Sequence, residues 1–116
     1  MRTTTPVLIT RLQHGNVSGF GEASMPPLYG ETIESATKFL KKIDATKCDP
    51  TNIESFMAYL DNIDTGNSAA KASVDIALHD LSGKLLQKPC SEMLGFPSVS
   101  NCETSKTIGI DNVSII

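Results

Sequence analysis

"AAKASVDIALHDLSGKLLQKPCSEMLG" occupies residues 69–95. Ala70, Val74, Ala77, Leu78, Leu81 and Leu85 recur three or four positions apart, which places them on one face of an α-helix. The spacing predicts a helix over 69–87, capped by Ser68 and stopped by Pro89. Lys71–Asp75 and Asp80–Lys84 are spaced as i,i+4 ion pairs on its flank. This is the strongest periodic element of the chain, so the rest is arranged around it.

Working outward, Ile53, Phe56, Met57, Leu60 and Ile63 share a second helical face. Thr51 and Glu54 have capping-box spacing at its start, and Gly66 is suited to a left-handed position after its end. Residues 32–43 place Ile33, Ala36, Leu40 and Ile43 on a third face. Upstream, "PVLITRL" (6–12) and "VSGFGEA" (17–23) alternate loosely around "QHGN", where Gly15 and Asn16 tolerate positive φ. That pattern predicts a β-hairpin. The prolines and glycine of "SMPPLYG" (24–30) mark a loop, and "TIGI" (107–110) reads as a strand beyond the helices. A hairpin followed by three helices is an α+β layer arrangement. A lone two-stranded hairpin is marginal, so this sheet invites a further strand.

Composition excludes several classes of function. The chain has 116 residues, 20% charged and 40% hydrophobic, with a formal net charge of −3. These values fit one globular domain. No basic cluster exceeds Lys41-Lys42, which argues against nucleic acid and anionic membrane surfaces as partners. No apolar run reaches the roughly 20 residues of a membrane span. Three cysteines, Cys48, Cys90 and Cys102, without a CxxC pair argue against a disulfide framework or zinc site. Reduced thiols in a cytoplasm are the simplest reading.

Local chemistry is sparse. "GFGEAS" lacks the third glycine of a dinucleotide loop and sits on a strand, so its glycines are expected to permit close backbone approach. Glu22 reads as a solvated or paired strand-end residue. "DNID" (61–64) lacks calcium-loop spacing. His79, four residues after Asp75, reads as a surface imidazole on the polar flank of its helix. Taken alone, these residues form no complete active site.

The 69–95 stretch also carries a pattern: Ala70-x-Ala72-Ser73-Val74-Asp75-x-Ala77-Leu78-x-Asp80-Leu81-x-Gly83-Lys84, then Pro89, then Leu94-Gly95. It resembles the mandelate racemase/muconate lactonizing branch of the enolase superfamily. Cys90 stands where an aliphatic residue is usual and Met93 where leucine is usual; both are apolar. "VSGFGEASMPPLYGET" resembles the strand and loop of that family's capping domain, and "ETSKTIGID" its first barrel strand. Together, "PP-x-YGET" and "T-S-x-T-I-G-I-D" look most like the dipeptide epimerases of the L-Ala-D/L-Glu type.

The resemblance implies a capping domain over 1–98, without the family's first cap strand, and the start of a (β/α)₈ barrel over 99–116. It implies an isomerase that removes the proton α to a carboxylate, with Mg²⁺ as cofactor, a lysine on each face of the substrate and a small dipeptide as substrate. The family's Lys-x-Lys has no match here. No catalytic residue and no metal ligand is therefore assigned to this chain, and alone it is expected to be inactive. Thr107 matches a threonine that touches the dipeptide; a β-branched residue filling the barrel interior is its other reading. Arg2 corresponds to an arginine in a cap loop over the substrate, or to a plain terminal residue. Pro26, Pro27, Leu28, Tyr29 and Gly30 correspond to the second cap loop over the site, or to a surface turn. Other readings are the cap of a muconate cycloisomerase or o-succinylbenzoate synthase-like enzyme, and a free-standing interaction module. An unpaired hairpin edge and an uncovered "TIGI" strand lead us to expect self-association.

Overall fold

The computed structural model describes residues 6–24 and 30–95. Two strands, β1 (Val7–His14) and β2 (Val17–Ser24), pair antiparallel from Val7↔Ser24 to His14↔Val17. Of the two turn residues only Gly15 takes positive φ, at +61°. Positive φ at the first turn position alone matches the right-handed twist of a hairpin. Four helices follow: α1 (Ile33–Leu40), α2 (Ile53–Ile63), α3 (Ser68–Leu86) and a short α4 (Cys90–Met93). A 3₁₀ turn at Ala45–Lys47 links α1 to α2. The arrangement is α+β, with the helices on one face of the hairpin.

The core lies between that face and α3. Phe39, Phe56, Leu60, Val74, Leu78 and Leu81 are buried, and partly buried Leu8 and Leu12 of β1 pack on the cluster. The 69–87 helix is the most buried element, as its periodicity predicts. Its stripe ends earlier than expected, because Leu85 lies 38% exposed beyond the sheet.

The close approach anticipated at the glycines is the central packing feature. Residues 19, 21 and 23 of β2 are buried and share the inner face. A Cβ on Gly21 would overlap the carbonyl oxygen of Ser73, and one on Gly19 the carbonyl oxygen of Ala77. Helix α3 thus rests on bare strand backbone through its small residues Ser73 and Ala77. Two buried hydroxyls complete the contact. Ser73 Oγ donates to the Ala70 carbonyl at 2.7 Å. Its proton spent there, Ser73 accepts the Thr10 hydroxyl, also at 2.7 Å.

Several end and flank assignments are corrected. Asn52, not Thr51, caps α2, accepting from Ser55 N–H at 3.1 Å; Thr51 is held by Asp49. Asp64 ends α2 in an extended conformation. Gly66 does take positive φ, +70°, but two residues beyond that cap, in the bend into α3. The α3 cap position is left-handed Asn67, with no side-chain capping bond, and Ser68 is already helical. Lys71 does not pair with Asp75: it reaches Asp61 at 3.0 Å and the Asp64 carbonyl at 2.8 Å. There it meets the partial negative charge at the end of α2. No helix among the described residues is long and apolar enough to cross a membrane.

Candidate active-site loop and its anchors

Of the residues singled out for a site, Arg2, Pro26, Pro27, Leu28, Tyr29 and Thr107 lie outside the described residues. So does the whole 99–116 segment assigned to a barrel. Gly30 is described, and with its two successors it lies immediately downstream of residues 25–29. Each of the three has a separate task.

Gly30 takes φ +74°, a conformation that side chains disfavour. Glu31 reaches across the fold to α3, where its Oε1 and Oε2 accept the Ala69 N–H at 3.0 and 3.3 Å. A carboxylate is well matched to this helix start, which carries partial positive charge and has no cap from Asn67. Thr32 caps α1: its Oγ1 accepts from Ser35 N–H at 3.0 Å, while Thr32 N–H donates to Ser35 Oγ at 2.9 Å. The "GET" triplet therefore turns the chain, ties the entry of α1 to α3 and starts α1. No local signal identifies the role of Glu31, because its partner is 38 residues away.

A second polar group lies along β2. Asp80 Oδ2 accepts the Phe20 N–H and the Lys84 ammonium, each at 2.9 Å. Lys84 also donates to the Ser18 carbonyl at 2.8 Å and stands 5.3 Å from the Phe20 ring centroid. The bond from Lys84, then that from Phe20, holds the Asp80 carboxyl below the ordinary value near 3.8. The Asp80–Lys84 pair read from spacing is present, and it also occupies backbone groups of a strand edge.

His79 is less exposed than its flank position suggests. Its Nδ1 lies 2.9 Å from the Asp75 carbonyl oxygen and 3.1 Å from Asp75 Oδ1. Both are acceptors, so Nδ1 carries the hydrogen. Nearby, Phe20, Ile76 and Leu94 are each about half exposed around a shallow depression of about 590 Å³. Among the described residues no three His, Cys, Asp or Glu side chains gather as a metal site would require. Glu22 is exposed at its strand end.

Comparison with known proteins gives this scaffold a context. The chain is 45% identical to an L-Ala-D/L-Glu epimerase of Bacteroides thetaiotaomicron over 99% of its own length and 30% of the relative's. It is 36% identical to an L-Ala-D/L-amino acid epimerase of Pedosphaera parvula, over 84% of the chain and 28% of that protein. Muconate cycloisomerase 1 of Pseudomonas putida is also 36% identical, over 82% of the chain and 27% of the enzyme. The chain thus spans about 30% of the length of these relatives. Residues 1–95 match the family described as mandelate racemase / muconate lactonizing enzyme, N-terminal domain, and the chain belongs to that family.

Proposed function

We propose that this chain is the capping portion of a dipeptide epimerase of the L-Ala-D/L-Glu type. The complete enzyme would move a proton at the carbon α to a carboxylate, inverting that centre. The observation that carries this reading is the 45% identity to such an epimerase across 99% of the chain. The anchored "GET" triplet supports it, since a loop closing over a small substrate needs a fixed root. Within this reading residues 1–98 are cap and 99–116 begin a barrel. The Pro26–Gly30 loop covers the substrate, Arg2 pairs with a substrate carboxylate, and the Thr107 hydroxyl bonds the dipeptide.

Mg²⁺ belongs to this proposal as the cofactor of the complete enzyme, where it would stabilise negative charge at the reacting carboxylate. The family's Lys-x-Lys has no match in this sequence, and within this reading the metal ligands and the proton-transfer bases are assigned to parts of the enzyme outside this chain. What the chain supplies is substrate contact and exclusion of water. Free thiols at Cys48 and Cys90 support a cytoplasmic setting. Self-association of the chain alone, expected from an unpaired hairpin edge and exposed apolar surface, belongs to this proposal, and half-exposed Phe20, Ile76 and Leu94 add to that surface.

A chimera tests the assignment: residues 1–116 replacing the matching segment of the Bacteroides epimerase should epimerise L-Ala-D-Glu. In it, Thr107→Ala should lower dipeptide turnover and leave Mg²⁺ affinity unchanged. The 116-residue chain alone should give no exchange of the substrate α-proton with solvent deuterium and should elute larger than 12.4 kDa. Exchange by the isolated chain would overturn the division of labour. A chimera that cyclises muconate but ignores dipeptides would replace the substrate with that of the cycloisomerases, the second reading that the Pseudomonas relative supports.

A further inference from the structure

We propose that the depression between the start of α2 and the end of α3 binds a free aliphatic α-amino acid. The depression holds about 480 Å³ and is lined by residues 50–54 at the entry of α2, by Ser82 and Leu86 of α3, and by Lys88, Glu92 and Met93 around α4.

Two sets of unmet donors mark it. At the start of α2, Asn52 Oδ1 accepts the Ser55 N–H and the Asn52 carbonyl accepts that of Phe56. The N–H groups of Ile53 and Glu54 have no partner among the described residues, because first-turn groups lack one within their own helix. The other donor is Ser82, only 4% exposed. The equally buried Ser73 hydroxyl is bonded to both Ala70 and Thr10. Ser82 Oγ bonds no described residue, although it sits one turn from similar carbonyls of the same helix. A buried hydroxyl without a partner is rare in folded proteins and calls for one.

Charge selects the ligand. Lys88, Glu54 and Glu92 all line the depression, and none of them forms an ion pair among the described residues. The Lys88 backbone is held in place by its N–H bond to the Gly83 carbonyl at 2.9 Å. A simple anion would suit Lys88 and the start of α2 but would face two carboxylates. A simple cation would suit the carboxylates and leave the N–H groups unmet. A molecule carrying both charges satisfies both sets. Its carboxylate takes the Ile53 and Glu54 N–H groups, the Ser82 hydroxyl and Lys88; its ammonium takes Glu54 and Glu92. Pro50, Ile53, Leu86 and Met93 supply the apolar remainder of the lining, which suits an aliphatic side chain. Binding would not depend on the epimerase reading.

Equilibrium dialysis of the 116-residue chain against radiolabelled L-leucine tests this, since it is indifferent to self-association. Saturable binding of one leucine per chain is expected. Leucinamide, without the carboxylate, and N-acetyl-leucine, without the ammonium, should each compete at least tenfold more weakly than leucine. Lys88→Ala and Glu92→Ala, both at exposed positions, should each weaken binding at least tenfold. Ser82→Ala should weaken binding while raising the urea midpoint, because it removes an unpaired buried hydroxyl. Absence of saturable binding, equal competition by either derivative, or a midpoint lowered by Ser82→Ala would overturn the proposal. The Lys88→Ala comparison repeated in the chimera asks whether the depression stays open in a complete enzyme. Leucine binding there that is absent, or indifferent to Lys88, would also overturn it.

Discussion

The two edges of the hairpin are treated in opposite ways. Along β2, Asp80 and Lys84 reach over from α3 to occupy the Phe20 N–H and the Ser18 carbonyl. Along β1, Ile9, Arg11 and Gln13 present equivalent groups that no described residue meets, and the side chain of Ile9 is 59% exposed. The difference follows from where α3 sits. Glycines at 19 and 21 draw it onto β2, close enough for a short aspartate to reach the strand. An edge covered by charged side chains is protected against stray pairing.

The sharpest way to break this asymmetry is to push α3 off β2. Gly21→Ala places a methyl group against helix backbone, which cannot move aside as a flexible side chain would. Its expected cost is about 3 kcal/mol or more, at the upper end of overpacking, read as a lowered midpoint in urea. A loss below about 0.5 kcal/mol would show that the helix does not rest on the strand.

A smaller effect is expected from removing the edge cover itself. Asp80→Ala should cost about 0.5–1 kcal/mol, the value of a charge-assisted hydrogen bond discounted for a carboxylate open to solvent. The contribution has a defined pH sign. The folded-state value lies below the ordinary 3.8, so the stabilisation is present above that value and disappears as pH falls through the lower, folded-state one. The gap in stability between the native protein and Asp80→Ala should therefore narrow below about pH 4. A gap unchanged down to pH 2 would remove Asp80 from this role.

The smallest effect belongs to the open side. Arg11→Ala should change stability by no more than about 0.5 kcal/mol, as for ordinary surface positions. A loss matching that of Asp80→Ala would erase the contrast between the edges.

Much of this was legible in the residues alone. Helical spacing determined the three main helices, because burying one stripe requires it, and alternation around Gly15 determined the hairpin. The paired glycines of "GFGEA" announced close approach, since only a missing side chain allows it. The pattern around residues 69–95 also identified the family. Contacts between distant segments were decided only by the tertiary structure. Lys71 and Asp75 have ion-pair spacing, yet Lys71 turns to the end of α2 and Asp75 to His79. Glu31 caps a helix 38 residues downstream, and Asp80 covers a strand 60 residues upstream. Periodicity reports which face of an element is buried. What that face and its flanks meet depends on how the elements are set against one another, and here two glycines set that distance.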